Sequence, residues 1–127
     1  MITATYAAVL AILFGALSIR TLRLRRRFGV AIGPGERILH RAVRAHAHFA
    51  EYCPLILLLC YFVEVRFASP MWMHGLLAPL AVGRVVHAMG ISREPEDFRY
   101  RVAGMSITLT ILFIAAGLLL LGPWLVP

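Results

Sequence analysis

An all-α, integral membrane four-helix bundle is the architecture this sequence predicts, on three grounds. Of 127 residues, 61% are hydrophobic and only 15% charged, whereas a soluble domain carries about a quarter charged residues. A chain this short can bury one modest core in water, and would leave the rest of that apolar surface uncovered. The apolar residues also fall into four runs, matched to helices of the roughly twenty residues needed to cross the hydrocarbon.

The first run, Ile2 to Ile19, has no charge. It could pass for a signal peptide, but no basic segment precedes it and an Arg cluster follows it, so a retained span is expected. The second run, Ala50 to Val63, is too short by itself. It continues an amphipathic helix expected to start near Glu36, after the breaker Gly33-Pro34-Gly35. The third runs from Pro70 to about Ile91, with Ser69-Pro70 as its start and Pro at the first helical position. The fourth runs from about Val102 to Leu121 and is closed by Gly122-Pro123. With their polar flanks, the spans are expected at about 2–20, 37–64, 70–91 and 99–122, within a single membrane domain 1–127. Short connections make neighbouring helices antiparallel. There is no internal repeat or low-complexity segment.

The formal charge is +7, and all 13 basic residues are Arg. A basic balance often signals nucleic acid, but here the arginines abut apolar runs and no soluble basic domain remains to bind it. They orient the chain instead. The first connection and its flanks hold Arg20, Arg23, Arg25, Arg26, Arg27, Arg37, Arg41 and Arg44, and the third holds Arg93, Arg99 and Arg101; the second holds only Arg66. Connections one and three are therefore expected on the cytoplasmic side, with both termini outside. Cys53 and Cys60 lie about 10 Å apart along one helix, too far for a disulfide within that helix. They read as small buried hydrophobes.

The candidate chemistry lies on the second helix. At about 100° per residue, Arg37, Arg41, Arg44, His48, Glu51 and Leu55 fall within a sector of roughly 80°, with Tyr52 at its edge. This polar stripe descends from the Arg cluster into an apolar helix, and Pro54 beside it predicts a bend next to Glu51. An ionisable residue at membrane depth costs at least a few kcal/mol unless paired. Glu51 therefore calls for a partner, and Arg44 lies two turns above it with His48 between. The bland alternative for the whole stripe is a structural ion pair with snorkelling arginines above it. On the third helix, Arg84 and His87 are three apart and share a face, and Arg99 and Arg101 open the fourth helix near the same leaflet. A ring of arginines around one carboxylate suits a small anionic or zwitterionic ligand: carboxylates meet Arg, and an amino group meets Glu51. A metal site is not expected. His46 and His48 are two apart and point to nearly opposite sides, and the surrounding arginines disfavour a cation. His74, beside Trp72, reads as an interfacial residue.

The segment from Arg44 through His46, His48, Glu51 and Tyr52 to Pro54 resembles the second-helix signature of the MAPEG family, the membrane-associated proteins of eicosanoid and glutathione metabolism. Arg23-Leu24-Arg25, Gly83-Arg84-Val85-Val86-His87 and the block from Phe98 to Met105 match further family blocks, in order and over most of the chain. The likeness is closest to small bacterial members. It implies a homotrimer in the bacterial inner membrane, with glutathione sites between protomers opening to the cytoplasm. By motif position, Arg23, Arg44, His46, His48, Glu51, Tyr52, Arg84 and His87 would line the glutathione pocket. Arg99 and Arg101 would be the candidates for stabilising the thiolate. The family usually has Asn where this chain has His48.

The resemblance thus implies a glutathione-dependent transferase or peroxidase acting on lipophilic electrophiles dissolved in the bilayer. Its alternative is a non-catalytic binding or scaffolding membrane protein of the same fold. A third reading, a small proton-coupled transporter using Glu51 to exchange protons for a lipophilic cation, is opposed by the arginines, which repel cations.

Overall fold

The computed structural model describes residues 1–33, 35–67, 70–95 and 97–125, with the side chains of residues 67 and 123–125 left aside. It contains four α-helices: α1 (Ile2–Phe28), α2 (Arg37–Phe67), α3 (Pro70–Ser92) and α4 (Phe98–Leu125). All four are long and apolar enough to cross a membrane. The expected all-α four-span architecture is what the chain adopts. Pro34 of the predicted breaker and Ser69 of the predicted third start lie outside the described residues.

Helix ends follow local chemistry. The apolar run predicts a first span to about residue 20, and α1 continues through the Arg cluster to Phe28. Arginine is a good helix former, and Arg25, Arg26 and Arg27 in the last turn complement the negative end of the helix dipole. Gly29 ends α1 in the left-handed region at φ 64°, where a side chain would be strained. It donates its N–H toward the Arg26 carbonyl at 3.4 Å, and Val30 donates to the Arg25 carbonyl at 3.0 Å, the pairing of a Schellman-type cap. The start of α4 is set by Asp97, whose carboxylate accepts from the Arg99 N–H at 2.9 Å as an N-cap. The far end departs from expectation, because α4 does not close at Gly122-Pro123 but runs to Leu125. Proline removes one backbone bond, a loss that membrane helices tolerate. Pro54 and Pro79 likewise lie inside α2 and α3 without ending them.

The core is built on α2 and α3. Phe49, Cys53, Ile56 and Cys60 of α2 pack with Leu10 and Leu17 of α1, Met73, Leu77 and Leu80 of α3, and Ile111 and Ala115 of α4. Both cysteines are free and buried, as expected. Among the described residues α1 and α4 do not touch, so α2 and α3 form the central pair. The α3–α4 approach is close because glycines line it. A Cβ on Gly104 would lie 2.5 Å from the Gly83 oxygen and 2.6 Å from His87 Cβ, and one on Gly90 would lie 2.7 Å from the Arg101 nitrogen. Small residues let membrane helices approach at backbone distance, and here they bring His87 against the first turns of α4.

Side chains tie the bundle at both ends. At the Arg-rich end, Arg41 of α2 donates to the carbonyls of Ile91 at 3.4 Å and Arg93 at 3.3 Å, and its Nε lies 3.3 Å from a Glu94 oxygen. Arg20 of α1 donates to Ser92. The carbonyls left open at the end of α3 are thereby satisfied by cations from two other helices. At the opposite end, the Glu64 carboxylate of α2 accepts from the N–H groups of Ile2 at 2.5 Å and Thr3 at 2.9 Å, capping α1 from across the bundle. Tyr6 and His74 also pair there, at 3.0 Å.

Candidate functional site

The polar groups of α2, α3 and α4 converge at the Arg-rich end in one continuous chain. Arg44 and His48 are one turn apart on α2, and Arg44 Nη2 lies 2.6 Å from His48 Nε2. On the other side of that ring, His48 Nδ1 lies 3.0 Å from His87 Nε2 of α3. His87 Nδ1 in turn meets the Arg101 carbonyl of α4 at 3.0 Å. Arg44, His87, Glu51 and Arg101 all lie within electrostatic reach of His48.

The expectation that Arg44 pairs with Glu51 is corrected here. Seven residues put them about 10 Å apart along the axis, and His48, lying between, takes the Arg44 guanidinium. Among the described residues Glu51 has no ion pair, and the ion pairs found are those of Arg37 and Arg41 with Glu94. Glu51 and Arg44 are both exposed on one face of α2.

The remaining candidates divide between this cluster and other surroundings. His46 turns away from the chain and stacks on Phe14 of α1, with ring centroids 4.7 Å apart. Tyr52 is half-buried against the core. Arg84 is 0% exposed, lies over the Phe49 ring at 5.4 Å, and all three guanidinium nitrogens lack a hydrogen-bond partner among the described residues. Arg101 is half-buried with its guanidinium 6.0 Å from the Phe98 ring centroid. Arg99 and Arg23 are exposed.

Two cavities flank α2 along its length. One of about 240 Å³, at the Arg-rich end, is lined by Arg25, Gly33, His40, Val43 and Arg44. An apolar one of about 170 Å³ lies deeper, between α1 and α2, and includes Leu10, Phe14, Phe49, Cys53, Pro54 and Leu57. Helix positions 44 and 50 differ by about 9 Å of rise and about 240° of rotation, so this cavity opens on the other side of α2 from the Arg44–Glu51 stripe.

Sequence reasoning missed Arg25 and His40 as cavity walls, and Arg41 as the residue that holds the end of α3. Arg25 also holds the loop after α1, donating to the carbonyls of Ala31 at 3.1 Å and Gly33 at 3.4 Å. His40 is four residues before Arg44, a spacing that places them on one helix face, and that signal was available. Asp97, one residue before the helix it caps, was also legible.

Four membrane-length helices with a cationic, histidine-linked cluster at one end define a small polytopic membrane protein. The chain belongs to the MAPEG family, whose model matches residues 3–121. It is 33% identical to the inner membrane protein YecN of Escherichia coli (strain K12), over 100% of this chain and 94% of that one. The same figures hold for YecN of Escherichia coli O6:H1.

Proposed function

We propose that the protein is a glutathione-dependent membrane enzyme, a transferase or peroxidase for lipophilic electrophiles. The observation that carries this reading is the exposed polar stripe that α2 takes into the membrane. Arg44 and Glu51 are exposed on a helix long and apolar enough to cross a membrane, and ionised groups at that depth are costly unless a partner covers them. Glutathione has two carboxylates for arginines and one amino group for Glu51, and the exposed apolar surface of the helices is open to electrophiles dissolved in the bilayer.

The chemistry needs no protein nucleophile. A thiol with a pKa of roughly 8.5 is only a few per cent ionised at pH 7. A cation beside the sulfur favours the thiolate, and each unit of lowered pKa multiplies its concentration nearly tenfold until it saturates. Arg101 and Arg99 are the groups assigned to this role. In transfer, the thiol gives up its proton and the sulfur forms a bond to the electrophilic carbon. That carbon's leaving group departs with the bonding pair or, in an activated alkene, the π pair takes up a proton. In the peroxidase reaction, two glutathione molecules reduce a hydroperoxide to an alcohol and water and leave as the disulfide.

The exposed Arg44–Glu51 stripe also supports assembly in which neighbouring copies cover that face and share each site; that the copies number three is what the family resemblance implies. The Arg distribution supports a cytoplasmic site with both termini periplasmic, and the name of the YecN relative supports the inner membrane.

Calorimetric titration of glutathione into the detergent-solubilised protein tests the reading, beside Glu51→Gln and Arg44→Ala. Saturable binding in the parent, lost in both variants, is the expected result. No binding at millimolar glutathione overturns it and leaves the non-catalytic alternative of the same fold.

A further inference from the structure

The hydrogen bonds through His48 and His87 admit one direction. A guanidinium only donates and a carbonyl only accepts. Because Arg44 donates to it, His48 Nε2 must hold a lone pair, so a neutral His48 carries its hydrogen on Nδ1. Because the Arg101 carbonyl accepts from it, His87 Nδ1 must carry a hydrogen, so a neutral His87 holds its lone pair on Nε2. Those two deductions start from opposite ends of the chain. They meet at the His48 Nδ1–His87 Nε2 contact of 3.0 Å, where they require a donor facing an acceptor. A proton added to His48 would set N–H against the Arg44 N–H. A proton added to His87 would turn His48 to its other tautomer, with the same conflict at Arg44. Only the doubly neutral state with both hydrogens on Nδ1 satisfies every contact.

We propose that Arg44, His48, His87 and the Arg101 carbonyl form a polarised positioning relay, in which His87 fixes the first turn of α4 against α2. His87 is therefore a positioning residue, not a group that touches a ligand. It is 1% exposed, and both ring nitrogens are engaged within the protein. Its reach to α4 depends on the glycines: a Cβ on Gly104 would lie 2.7 Å from the His87 nitrogen. The two ends of the relay differ from its middle. Arg44 is exposed and Arg101 half-exposed, so the relay ties the side chain of one arginine to the backbone that carries the other on a different helix. That this ligand is glutathione rests on the function proposed above; the relay itself does not.

The test is nuclear magnetic resonance of the full-length protein in lipid nanodiscs, with ¹⁵N-labelled histidine and ¹³C-labelled Arg carbonyls. The expected result is a nitrogen–nitrogen scalar coupling between His48 Nδ1 and His87 Nε2, with both rings neutral and protonated on Nδ1. His87→Leu should move the Arg101 carbonyl resonance, and His87→Asn, whose amide can donate to that carbonyl, should restore it. Glutathione affinity should follow the same order, roughly five- to tenfold weaker in His87→Leu and within about twofold of the parent in His87→Asn. Absence of the coupling in the parent, a hydrogen on Nε2 of either ring, or a carbonyl unmoved in His87→Leu overturns the relay. Coupling present in a parent that binds no glutathione upholds the relay and removes the glutathione reading instead. The coupling is read in the parent, so it decides the matter even where the leucine variant fails to fold.

Discussion

His48 illustrates how a side chain is defined by what it must accept and donate. Its ring takes a bond from Arg44 and gives one to His87, a pair of duties that an amide can also perform, since Asn offers one acceptor and one donor group. The departure from the Asn usual in the family therefore conserves the hydrogen-bonding pattern. His48→Asn is expected to change thermal stability in detergent by less than about 1 kcal/mol, and His48→Leu to lower it by about 1–3 kcal/mol, because the buried His87 loses a bonding partner and the exposed Arg44 an acceptor. Arg84 presents the opposite case, a fully buried guanidinium without a hydrogen-bond partner among the described residues. Such a cation is costly, and replacing a buried charge by an apolar side chain of similar volume is often neutral or stabilising by about 1–4 kcal/mol. Arg84→Met should accordingly unfold at a temperature equal to or above the parent's. An Arg84→Met protein that unfolds well below the parent would show that the guanidinium has a partner in the assembled protein.

The α3–α4 pair shows how an element interface sets a site. Gly104→Ala would force its Cβ to 2.5 Å from the Gly83 oxygen, so the helices must separate. The expected cost is about 1–3 kcal/mol, together with loss of the His87–Arg101 bond. Gly117 is the control on the same helix, since nothing lies within 4 Å of its Cβ position. Gly117→Ala should leave stability unchanged or raise it by up to about 1 kcal/mol, through the lower entropy cost of Ala in a helix. Parallel thermal melts of the two variants decide whether close approach, rather than glycine content, is what α4 requires. At the head of α4, Asp97→Ala removes the cap on the Arg99 N–H and should cost about 1 kcal/mol.

For the whole molecule, orientation and assembly are the properties that matter to function. Ile32 in the first connection is 92% exposed, and Met71 at the opposite end is 83% exposed, while both native cysteines are buried. An impermeant maleimide should label Met71→Cys in intact cells and Ile32→Cys only after lysis; the reverse pattern would place the Arg-rich end outside. The family resemblance implies three copies by native mass spectrometry, which would cover the exposed Arg44–Glu51 face. A monomeric protein would leave Glu51 facing lipid, and the site would need another account.

Much of this architecture was legible in the chain itself. The length of the apolar runs determines four crossing helices, because a helix must satisfy its own backbone in lipid. The stripe of Arg44, His48 and Glu51 follows from 3.6 residues per turn, and Asp97, one residue ahead of α4, was readable as a cap. What the period of a single helix cannot encode is which face of a neighbouring helix meets that stripe. Tertiary packing turned His46 onto Phe14, brought His87 to the far side of the His48 ring, and set Arg41 on the carbonyls that end α3. It also engaged both nitrogens of His87 inside the bundle. Each of these depends on helix rotation, and the contact of His87 with α4 depends also on the backbone approach that Gly83, Gly90 and Gly104 permit. The sequence determined which polar groups enter the membrane; the packing of α2, α3 and α4 decided how they are joined.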